Sequence, residues 1–309
     1  MSYYIGIDVG GTTIKGAIID SAGKLYGEDS VVTGKGEEIV KGIAAVCGRL
    51  IALIGKGEKI VGVGIGCAGV IDGENGVVAQ KNNLQLKNFP LAKKVEERVH
   101  LPVKITNDAN AAALGEAKFG AGKEYRDSIL VTLGTGVGGG VVIDGKLFEG
   151  NKSAGAELGH MVIERGGNRC SCGRRGCFEA YSSATALIKR TKWAMEEDVS
   201  SAMWQSCTSD TAKGRTAFDY ADTDIAAHEV VEWYIKYLAC GLVNLANIFR
   251  PQIIMLGGGV SNQGENLTVP LQQILDREVF AGFYAPVKVA TATLGSKAGA
   301  FGAAALWID

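Results

Sequence analysis

A short segment, residues 155–179, places four side chains with metal-binding chemistry close together along the chain. His160 is followed by Cys170, Cys172 and Cys177, a spacing of H-x9-C-x-C-x4-C. Imidazole and thiolates are ligands that zinc prefers, and four of them suit a closed tetrahedral site. The alternative is a chance cluster of buried thiols, but the neighbouring glycines and arginines are not typical of a core. We therefore predict structural Zn²⁺.

Two acidic residues flank these ligands. Glu157 lies three residues before the histidine, and Glu179 lies two residues after the last cysteine. A closed site has no vacant position for water, so the metal should shape the chain and leave the chemistry to other groups. A zinc hydrolase would need an open position, which four protein ligands do not leave. The two acids are candidates for binding a polar substrate, with plain surface glutamates as the alternative.

A different chemistry is indicated by a glycine-rich turn near the start of the chain. Two apolar runs, Ile5–Asp8 and Ile14–Ile19, predict strands joined by the turn Gly10-Gly11-Thr12-Thr13. Bare backbone N–H groups and hydroxyls in such a turn can approach phosphate oxygens closely. Asp8 would face the same anion through a divalent cation. A plain hairpin would also explain the turn, but it leaves Asp8 and Lys15 without a role.

The same pattern returns 124 residues later. That shift lays Gly10 on Gly134 and the apolar triplet Ala17-Ile18-Ile19 on Val141-Val142-Ile143. The stretch TLGTGVGGG at Thr132–Gly140 is therefore a second strand, glycine turn and strand. Two such hairpins predict two similar domains that face a shared cleft, with the phosphates of one nucleotide between the turns.

Periodicity and turn residues place the remaining elements. Polar loops are expected after Gly69–Asp72 and, with a short helix, over Val199–Asp224. A third glycine turn, Gly257-Gly258-Gly259, offers bare backbone to a flat base or a ribose. The predicted helices are Ile39–Ile54, Leu91–Val99, Asp108–Phe119, Ser182–Glu197, Asp224–Phe249 and Lys297–Leu306, and the further strands are Ile60–Gly66, Val103–Thr106, Ile253–Leu256 and Val287–Ala290.

Asn107 and Asp108 lie between a predicted apolar strand and an alanine-rich helix. Helix capping explains one of them well, since Asn and Asp are preferred at the N-cap. Two adjacent polar residues at the end of a strand are also well placed to meet a ligand. Both interpretations stay open on these residues alone.

Composition limits the possible functions. The 309 residues predict about two domains with a large core. A net charge of −1, with 32 basic and 33 acidic residues, gives no electrostatic basis for binding nucleic acid or an anionic membrane. No signal peptide and no long apolar stretch is visible, so a soluble, cytoplasmic protein is expected. Reduced thiols there fit metal binding better than disulfides.

Five motifs together resemble the ROK family of sugar kinases and repressors, within the actin-like and hexokinase-like superfamily. The resemblance spans nearly the whole chain and is strongest to bacterial glucokinases. The motifs are D-x-G-G-T-x-x-K at Asp8–Lys15, N-D-A-N-A-A at Asn107–Ala112, G-T-G-x-G-G-G at Gly134–Gly140, E-x-x-H with C-x-C-G-x-x-G-C-x-E at Glu157–Glu179, and L-G-G-G-V at Leu256–Val260.

The resemblance implies an α/β fold of two actin-like (ribonuclease H-like) domains with a central cleft. The N-terminal domain would comprise 1–118, with the C-terminal helix at 296–309 packed back on it, and 119–295 would form the larger domain. ATP would bind with Mg²⁺. The implied nucleotide-binding residues are Asp8, Gly10, Gly11, Thr12, Thr13, Lys15, Gly134, Thr135, Gly136, Gly257, Gly258 and Gly259.

The implied activity is ATP-dependent phosphorylation of the 6-hydroxyl of a hexose, most simply glucose in the first step of glycolysis, with Asp108 as general base. Other hexoses or N-acetylhexosamines (N-acetylmannosamine, N-acetylglucosamine, fructose, allose), a donor other than ATP, and a sugar-sensing transcriptional regulator are alternatives. The family also implies a homodimer. The implied sugar-binding residues are Gly69, Asn83, Asn107, Asp108, Glu157, His160 and Glu179, with His160 also binding zinc.

Overall fold

The computed structural model describes residues 1–55 and 57–308. The chain divides into two compact units: one of Met1–Leu130, Gly140–Ala156 and Thr293–Asp309, the other of Val131–Gly139 and Glu157–Ala292. The first unit thus takes in residues 119–130 and 140–156, which lie beyond the predicted boundary at 118. Lys56 and Asp309, which belong to the predicted N-terminal domain, lie outside the described residues.

The first unit is built on a five-stranded sheet of order β3-β2-β1-β4-β8. The first three strands pair antiparallel, whereas β4 pairs parallel with both β1 and β8. A small antiparallel sheet of order β5-β6-β7 follows β4 in the chain. The bounds are β1 Ser2–Val9, β2 Thr13–Asp20, β3 Leu25–Val32, β4 Lys59–Cys67, β5 Val70–Asp72, β6 Val77–Lys81, β7 Leu86–Phe89 and β8 Val103–Asn107.

A second five-stranded sheet has the order β11-β10-β9-β12-β13. Its strands follow the same path as the first sheet, three consecutive strands and then two added beside the first of them. The shift of 124 residues also holds for the hairpins, because Val9 and Leu133 each end a strand and Thr13 and Val137 each begin the next. The bounds are β9 Ser128–Leu133, β10 Val137–Ile143, β11 Lys146–Phe148, β12 Ile253–Gly257 and β13 Lys288–Thr291.

Nine α-helices lie in the part of the chain that the structure describes. Single 3₁₀ turns connect several of them, including Asn82–Leu84 and Leu158–His160. No helix among the described residues combines the length and apolar character that crossing a membrane requires. The helices are α1 Glu37–Ala52, α2 Leu91–Val99, α3 Asp108–Phe119, α4 Glu179–Ser182, α5 Ala184–Glu197, α6 Thr216–Tyr220, α7 Ile225–Phe249, α8 Glu265–Glu278 and α9 Ala298–Ala305.

Glycines in the first sheet allow α9 to pack closely on it. A Cβ added at Gly6 would lie 1.8 Å from the Ala300 carbonyl oxygen, and one at Gly64 would lie 1.7 Å from that of Ala303. Backbone and helix therefore touch directly on this face, while α1 covers the sheet elsewhere with a buried apolar stripe. The sheet is held from both sides, which fixes the ends of its strands.

Several elements differ from the sequence-based expectation, among them strands β3 and β11, which have no counterpart among the predicted strands. The expected polar loop after Gly69 instead forms the β5-β6-β7 sheet, which is too short to show a strong alternation. The predicted helix over 182–197 is broken at Ser183, whose hydroxyl caps α5 by accepting from the Ala186 N–H. Helix α8, with Pro270 inside it, has no counterpart among the predicted helices.

Candidate active site

The first glycine turn, residues 10–12, lies between β1 and β2. It is closed by a hydrogen bond from the Gly10 N–H to the Thr13 carbonyl (3.1 Å) and braced by Thr33, whose hydroxyl donates to the Gly10 carbonyl (2.9 Å). Gly11 and Thr12 are exposed, and so is Lys15 on β2. The turn is therefore held from behind and presents backbone N–H groups, a hydroxyl and an ammonium to solvent, as a phosphate ligand requires.

Two aspartates stand at the carboxyl ends of strands in the first unit. Asp8 lies on β1 and Asp108 follows β8 as the first residue of α3. Burial, and then the negative charge of Asp108, raise the pKa of Asp8 to about 6, which Lys15 only partly offsets. The Asp108 carboxylate is half-buried and forms no hydrogen bond or ion pair with any residue from 1–55 or 57–308. It is free to accept a proton or a hydrogen bond from a ligand.

Asn107 fixes the position of that free carboxylate. Its side-chain oxygen accepts hydrogen bonds from the N–H groups of Ala109 (2.8 Å) and Asn110 (3.4 Å), which caps α3. Its amide nitrogen donates to the Gly69 carbonyl (3.2 Å). The capping interpretation is therefore correct for Asn107, and one amide hydrogen is left for a ligand. Gly69 has φ +124°, which favours glycine, so this contact depends on it.

Asn83 belongs to the same side of the first unit. It is exposed in the 3₁₀ turn Asn82–Leu84, and its amide nitrogen lies 3.6 Å from the position that a Cβ of Gly11 would occupy. A carboxamide thus stands beside the first glycine turn. The structure thus places Asn83 beside Gly11, Asn107 against Gly69, and the charge of Asp108 near Asp8, although the partners in each pair lie far apart in the sequence.

The second unit carries the other two glycine turns next to each other. Residues 134–136 join β9 to β10, with the Gly134 N–H donating to the Gly136 carbonyl (3.0 Å). Gly258 has φ +83°, and a Cβ there would lie 2.6 Å from the backbone of Leu133, at the end of β9. Only glycine permits this contact, which sets the third turn against the second. Gly258 and Gly259 are exposed, so bare backbone faces solvent at both turns.

The four predicted zinc ligands come together in the second unit. The ligand atoms of His160, Cys170, Cys172 and Cys177 all lie within 4.8 Å of one another. Cys170 Sγ is 3.7 Å from His160 Nδ1, and Cys172 Sγ is 3.7 Å from Cys177 Sγ. Metal–sulfur bonds of about 2.3 Å in a tetrahedron separate two sulfurs by about 3.8 Å. The donor set therefore fits a closed Zn²⁺ site, with His160 Nε2 left for another partner.

Backbone geometry pre-forms this cluster. A Cβ at Gly176 (φ +82°) would lie 1.7 Å from the Glu164 carbonyl oxygen, so the loop closes only with glycine. A backbone N–H of Arg174 lowers the pKa of the Cys172 thiol, whereas burial raises that of Cys177 to about 12. Zinc bound to these sulfurs would deprotonate them outright.

Glu157 and Glu179 are differently placed around the cluster. Glu157 is exposed and precedes the 3₁₀ turn of His160, which is anchored on β10 because Gly159 packs against the Val137 carbonyl. Glu179 begins α4 and accepts hydrogen bonds from the Val137 N–H (3.1 Å) and the Ser171 hydroxyl (3.0 Å). Glu179 thereby joins the second glycine turn to the cysteine loop, a connection that its sequence position did not indicate.

Two further residues support this region, and no local sequence pattern indicated either of them. A Cβ at Gly299 on α9 would lie 2.8 Å from the Asp8 carboxyl carbon, so this glycine makes room for the acid. Glu116 on α3 is fully buried and accepts from the Ala121 N–H (3.0 Å), the Thr293 N–H (3.0 Å) and the Leu294 N–H (2.6 Å). It fixes the chain just before α9. A lone glutamate inside a helix offers no sequence signal for this role.

Known proteins match nearly the whole chain. A glucokinase of Streptomyces coelicolor is 38% identical, covering 99% of this chain and 98% of its own. The crystal structure of a ROK family glucokinase from Streptomyces griseus in complex with glucose and AMPPNP has 37% identity and a TM-score of 0.79, covering 98% of both chains. A xylose repressor of Caldicellulosiruptor bescii is 30% identical over 99% of this chain and 78% of the repressor.

These matches and the two sheets of equal strand order confirm the predicted actin-like, hexokinase-type α/β fold class. The family model described as "ROK family" matches residues 4–309. This chain therefore belongs to the ROK family, as its motifs predicted.

Proposed function

We propose that this protein is an ATP-dependent glucose kinase that forms glucose 6-phosphate. The observation that carries the proposal is the Asp108 carboxylate, which begins a capped helix in the same unit as a phosphate-type glycine turn and has no partner among the described residues. Near-complete coverage of glucokinases at 36–38% identity supports glucose as the acceptor. The family's repressors match over a smaller share of their length.

Asp108 accepts the proton of the sugar's 6-hydroxyl while that oxygen attacks the γ-phosphorus. General-base catalysis of this kind contributes about 10²–10⁴-fold to the rate. Phosphoryl transfer otherwise needs positioning and charge neutralisation more than covalent chemistry. Asn107 orients the acid through the helix cap and offers its remaining amide hydrogen to the sugar.

The remaining proposed sugar ligands are described unit by unit. Asn83 donates from beside the first glycine turn, and Gly69 forms part of the wall through its tie to Asn107. Glu157, His160 Nε2 and the remaining lone pairs of Glu179 bind further hydroxyls. When Zn²⁺ is bound by His160, Cys170, Cys172 and Cys177, the loop that carries this second group would be held in place.

The glycine turns bind the donor. Gly10, Gly11, Thr12 and Thr13 with Lys15, and Gly134, Thr135 and Gly136, bind phosphate oxygens, while Gly257, Gly258 and Gly259 bind the nucleoside. Mg²⁺ on the phosphates supplies charge neutralisation when bound. Asp8 fits a nearby cation, because two carboxylates that repel each other are both stabilised by a divalent ion.

We further propose a cytoplasmic homodimer. The compartment follows from ATP as the donor and from reduced thiols at the zinc site. The dimer follows from the family resemblance of the sequence, and sedimentation of the purified protein tests it.

A coupled ADP-release assay tests the function. The zinc-loaded protein with Mg²⁺ and ATP should show its highest kcat/KM with glucose across a panel of hexoses and N-acetylhexosamines. A higher value for an N-acetylhexosamine would overturn glucose but keep the kinase. No ADP release with any sugar, compared with an Asp108→Asn preparation as background, would overturn the kinase itself. Replacing ATP by inorganic polyphosphate tests the donor.

A further inference from the structure

A cavity of about 930 Å³ lies within the second unit; it borders the proposed sugar and donor contacts at Thr135, Gly136 and Glu179, but most of its lining is assigned to neither ligand. Its volume is in the range of small-molecule sites. Helices α5 and α7, the cysteine loop and the second glycine turn form its walls. The side chains that matter for its chemistry are Arg169, Lys189, Arg190, Trp193, Trp233 and Tyr237.

The cavity has an excess of positive charge. Three cations line it, Arg169, Lys189 and Arg190, and none of them forms an ion pair with an acid among the described residues. The one carboxylate in the lining, Glu179, is already engaged by the Val137 N–H and the Ser171 hydroxyl. Arg169 and Lys189 are exposed, whereas Arg190 is half-buried and therefore partly desolvated. This local excess of positive charge along a concave wall favours an anionic ligand.

Arg190 is held in a fixed position without being satisfied. Its guanidinium carbon lies 4.1 Å from the ring centroid of Trp193 and 5.6 Å from that of Trp233. Its Nε atom is buried and has no hydrogen-bond partner. Buried donors are nearly always paired, and a planar guanidinium stacked on aromatic rings is pre-organised for a phosphate. The Trp and Tyr faces beside it suit a flat or ring-shaped body.

The cavity is connected to the donor-binding turn through α5. The first residue of that helix, Ala184, donates its N–H to the Gly134 carbonyl (2.8 Å). The next, Thr185, donates its hydroxyl to the Thr135 carbonyl (2.7 Å). Lys189 and Arg190 lie one and a half turns further along the same helix. A ligand that draws these cations toward itself therefore acts on the helix that holds the glycine turn.

We propose that this cavity is an effector site for a phosphate monoester on a ring-shaped body, and that its occupation alters ATP turnover through α5. Two sources share this chemistry, a sugar phosphate and a nucleoside monophosphate. The effect on turnover rests on the proposed kinase function, whereas the binding itself does not.

Binding is measured by tryptophan fluorescence, because Trp193 and Trp233 line the cavity. The protein is saturated with glucose and AMPPNP and then titrated separately with glucose 6-phosphate, AMP and inorganic phosphate. We expect at least one monoester to quench the fluorescence with higher affinity than inorganic phosphate. Lys189→Gln should lower the affinity for this monoester about tenfold or more, because a charge-assisted contact is lost. Arg190→Lys, which keeps the charge but loses the guanidinium Nε, should also lower this affinity.

Lys192→Gln is the matched control, since Lys192 lies on α5 outside the lining and pairs with Asp210. It should leave the affinity unchanged. In steady-state assays the same monoester should change kcat with little change in the KM for ATP. Three results would overturn the proposal. The first is the absence of quenching by all three probes. The second is quenching that occurs in a parallel titration without AMPPNP but disappears when AMPPNP is present, and the third is an equal loss of affinity in Lys192→Gln. Binding without any sugar phosphorylation would instead count against the proposed function alone.

Discussion

Two acids begin helices in the two units and are treated in opposite ways. Asp108 is the first residue of α3 and has no protein partner in the described part of the chain. Glu179 is the first residue of α4 and accepts from the Val137 N–H and the Ser171 hydroxyl. Both helix N-termini favour a negative charge. The two acids differ in whether protein donors hydrogen-bond to their carboxylate oxygens.

The difference indicates a division of labour. An acid without protein donors is available to a substrate proton, and its ionised form stays unsatisfied until a ligand arrives. An acid with two donors stabilises the loop around it and keeps less capacity for a ligand. The first unit therefore carries the proposed proton acceptor, and the second carries the loop with the proposed zinc ligands. Each of the following predictions tests one side of this contrast.

The largest effect is expected at the unpartnered acid. Asp108→Asn keeps the shape of the side chain but cannot accept a proton, so kcat should fall about 10²–10⁴-fold. Fold and AMPPNP binding should stay unchanged, because no protein contact is lost. Steady-state kinetics measures kcat, and calorimetric titration measures the binding of AMPPNP. Asp222→Asn, at an exposed acid on the connection to α7, is the matched control. A loss of less than threefold would assign the proton to another group.

The metal cluster should show the next largest effect. Cys172→Ala removes an exposed ligand of the cluster, so zinc should be lost and the free energy of unfolding should drop by about 4 kcal/mol or more. Sugar affinity should fall with it, because Glu157 and His160 lose their support. Zinc analysis, thermal unfolding and glucose KM are the measurements. Cys207→Ala, outside the cluster, should retain zinc. A metal-free variant with unchanged glucose KM would separate zinc from sugar binding.

The sequence predicted the local patterns of this site well. The H-x9-C-x-C-x4-C spacing predicted that these four side chains come together, because a loop this short keeps its thiols close to one another. Helices α2 and α3 begin and end where apolar periodicity and the Asn107 cap predicted. The repeat of 124 residues gave the matching hairpins, since both strands and their turns recur in it.

Contacts between distant segments could not be predicted in the same way. Gly299 makes room for Asp8, and Glu116 caps a segment nearly 180 residues away, through contacts that no local pattern encodes. Glu179 was predicted to bind substrate because it lies beside the cysteines in the sequence. Its hydrogen bond from the Val137 N–H, next to the second glycine turn, is visible only in the fold. The cationic cavity likewise combines α5 with α7 and the cysteine loop.

A smaller effect should separate the two glutamates beside the zinc cluster. Glu179→Gln places an amide NH₂ where the Val137 N–H or Ser171 hydroxyl needs an acceptor, so the free energy of unfolding should fall by about 1–3 kcal/mol. Glu157→Gln, at an exposed side chain, should leave stability unchanged and raise only the KM for glucose. Denaturant unfolding and kinetics of both variants give the comparison. Equal stability of the two variants would show that the hydrogen bonds of Glu179 contribute nothing.

The smallest effect concerns the pH dependence of stability at Asp8. Its pKa is raised from 3.8 to about 6 in the folded protein, mainly by burial and then by Asp108, so the native state holds a proton that the unfolded chain releases. Stability from this group is therefore present below about pH 4 and is lost as the pH rises through 6. Relative to Asp8→Asn, the wild-type protein should lose about 1–2 kcal/mol over that interval, after allowance for partial exposure.

Denaturant unfolding of both proteins at pH 4, 5, 6 and 7.5 measures this difference, in the absence of nucleotide. The two stabilities should agree near pH 4, and the asparagine variant should be the more stable above pH 6, because its amide carries no charge to bury. Saturating Mg²⁺ and AMPPNP should reverse the order at pH 7.5, since a nearby cation favours the ionised carboxylate of the wild-type protein. Parallel pH curves for the two proteins would mean that neither burial nor Asp108 raises the pKa of Asp8 in the folded protein, and the first unit would then hold one unusual acid instead of two.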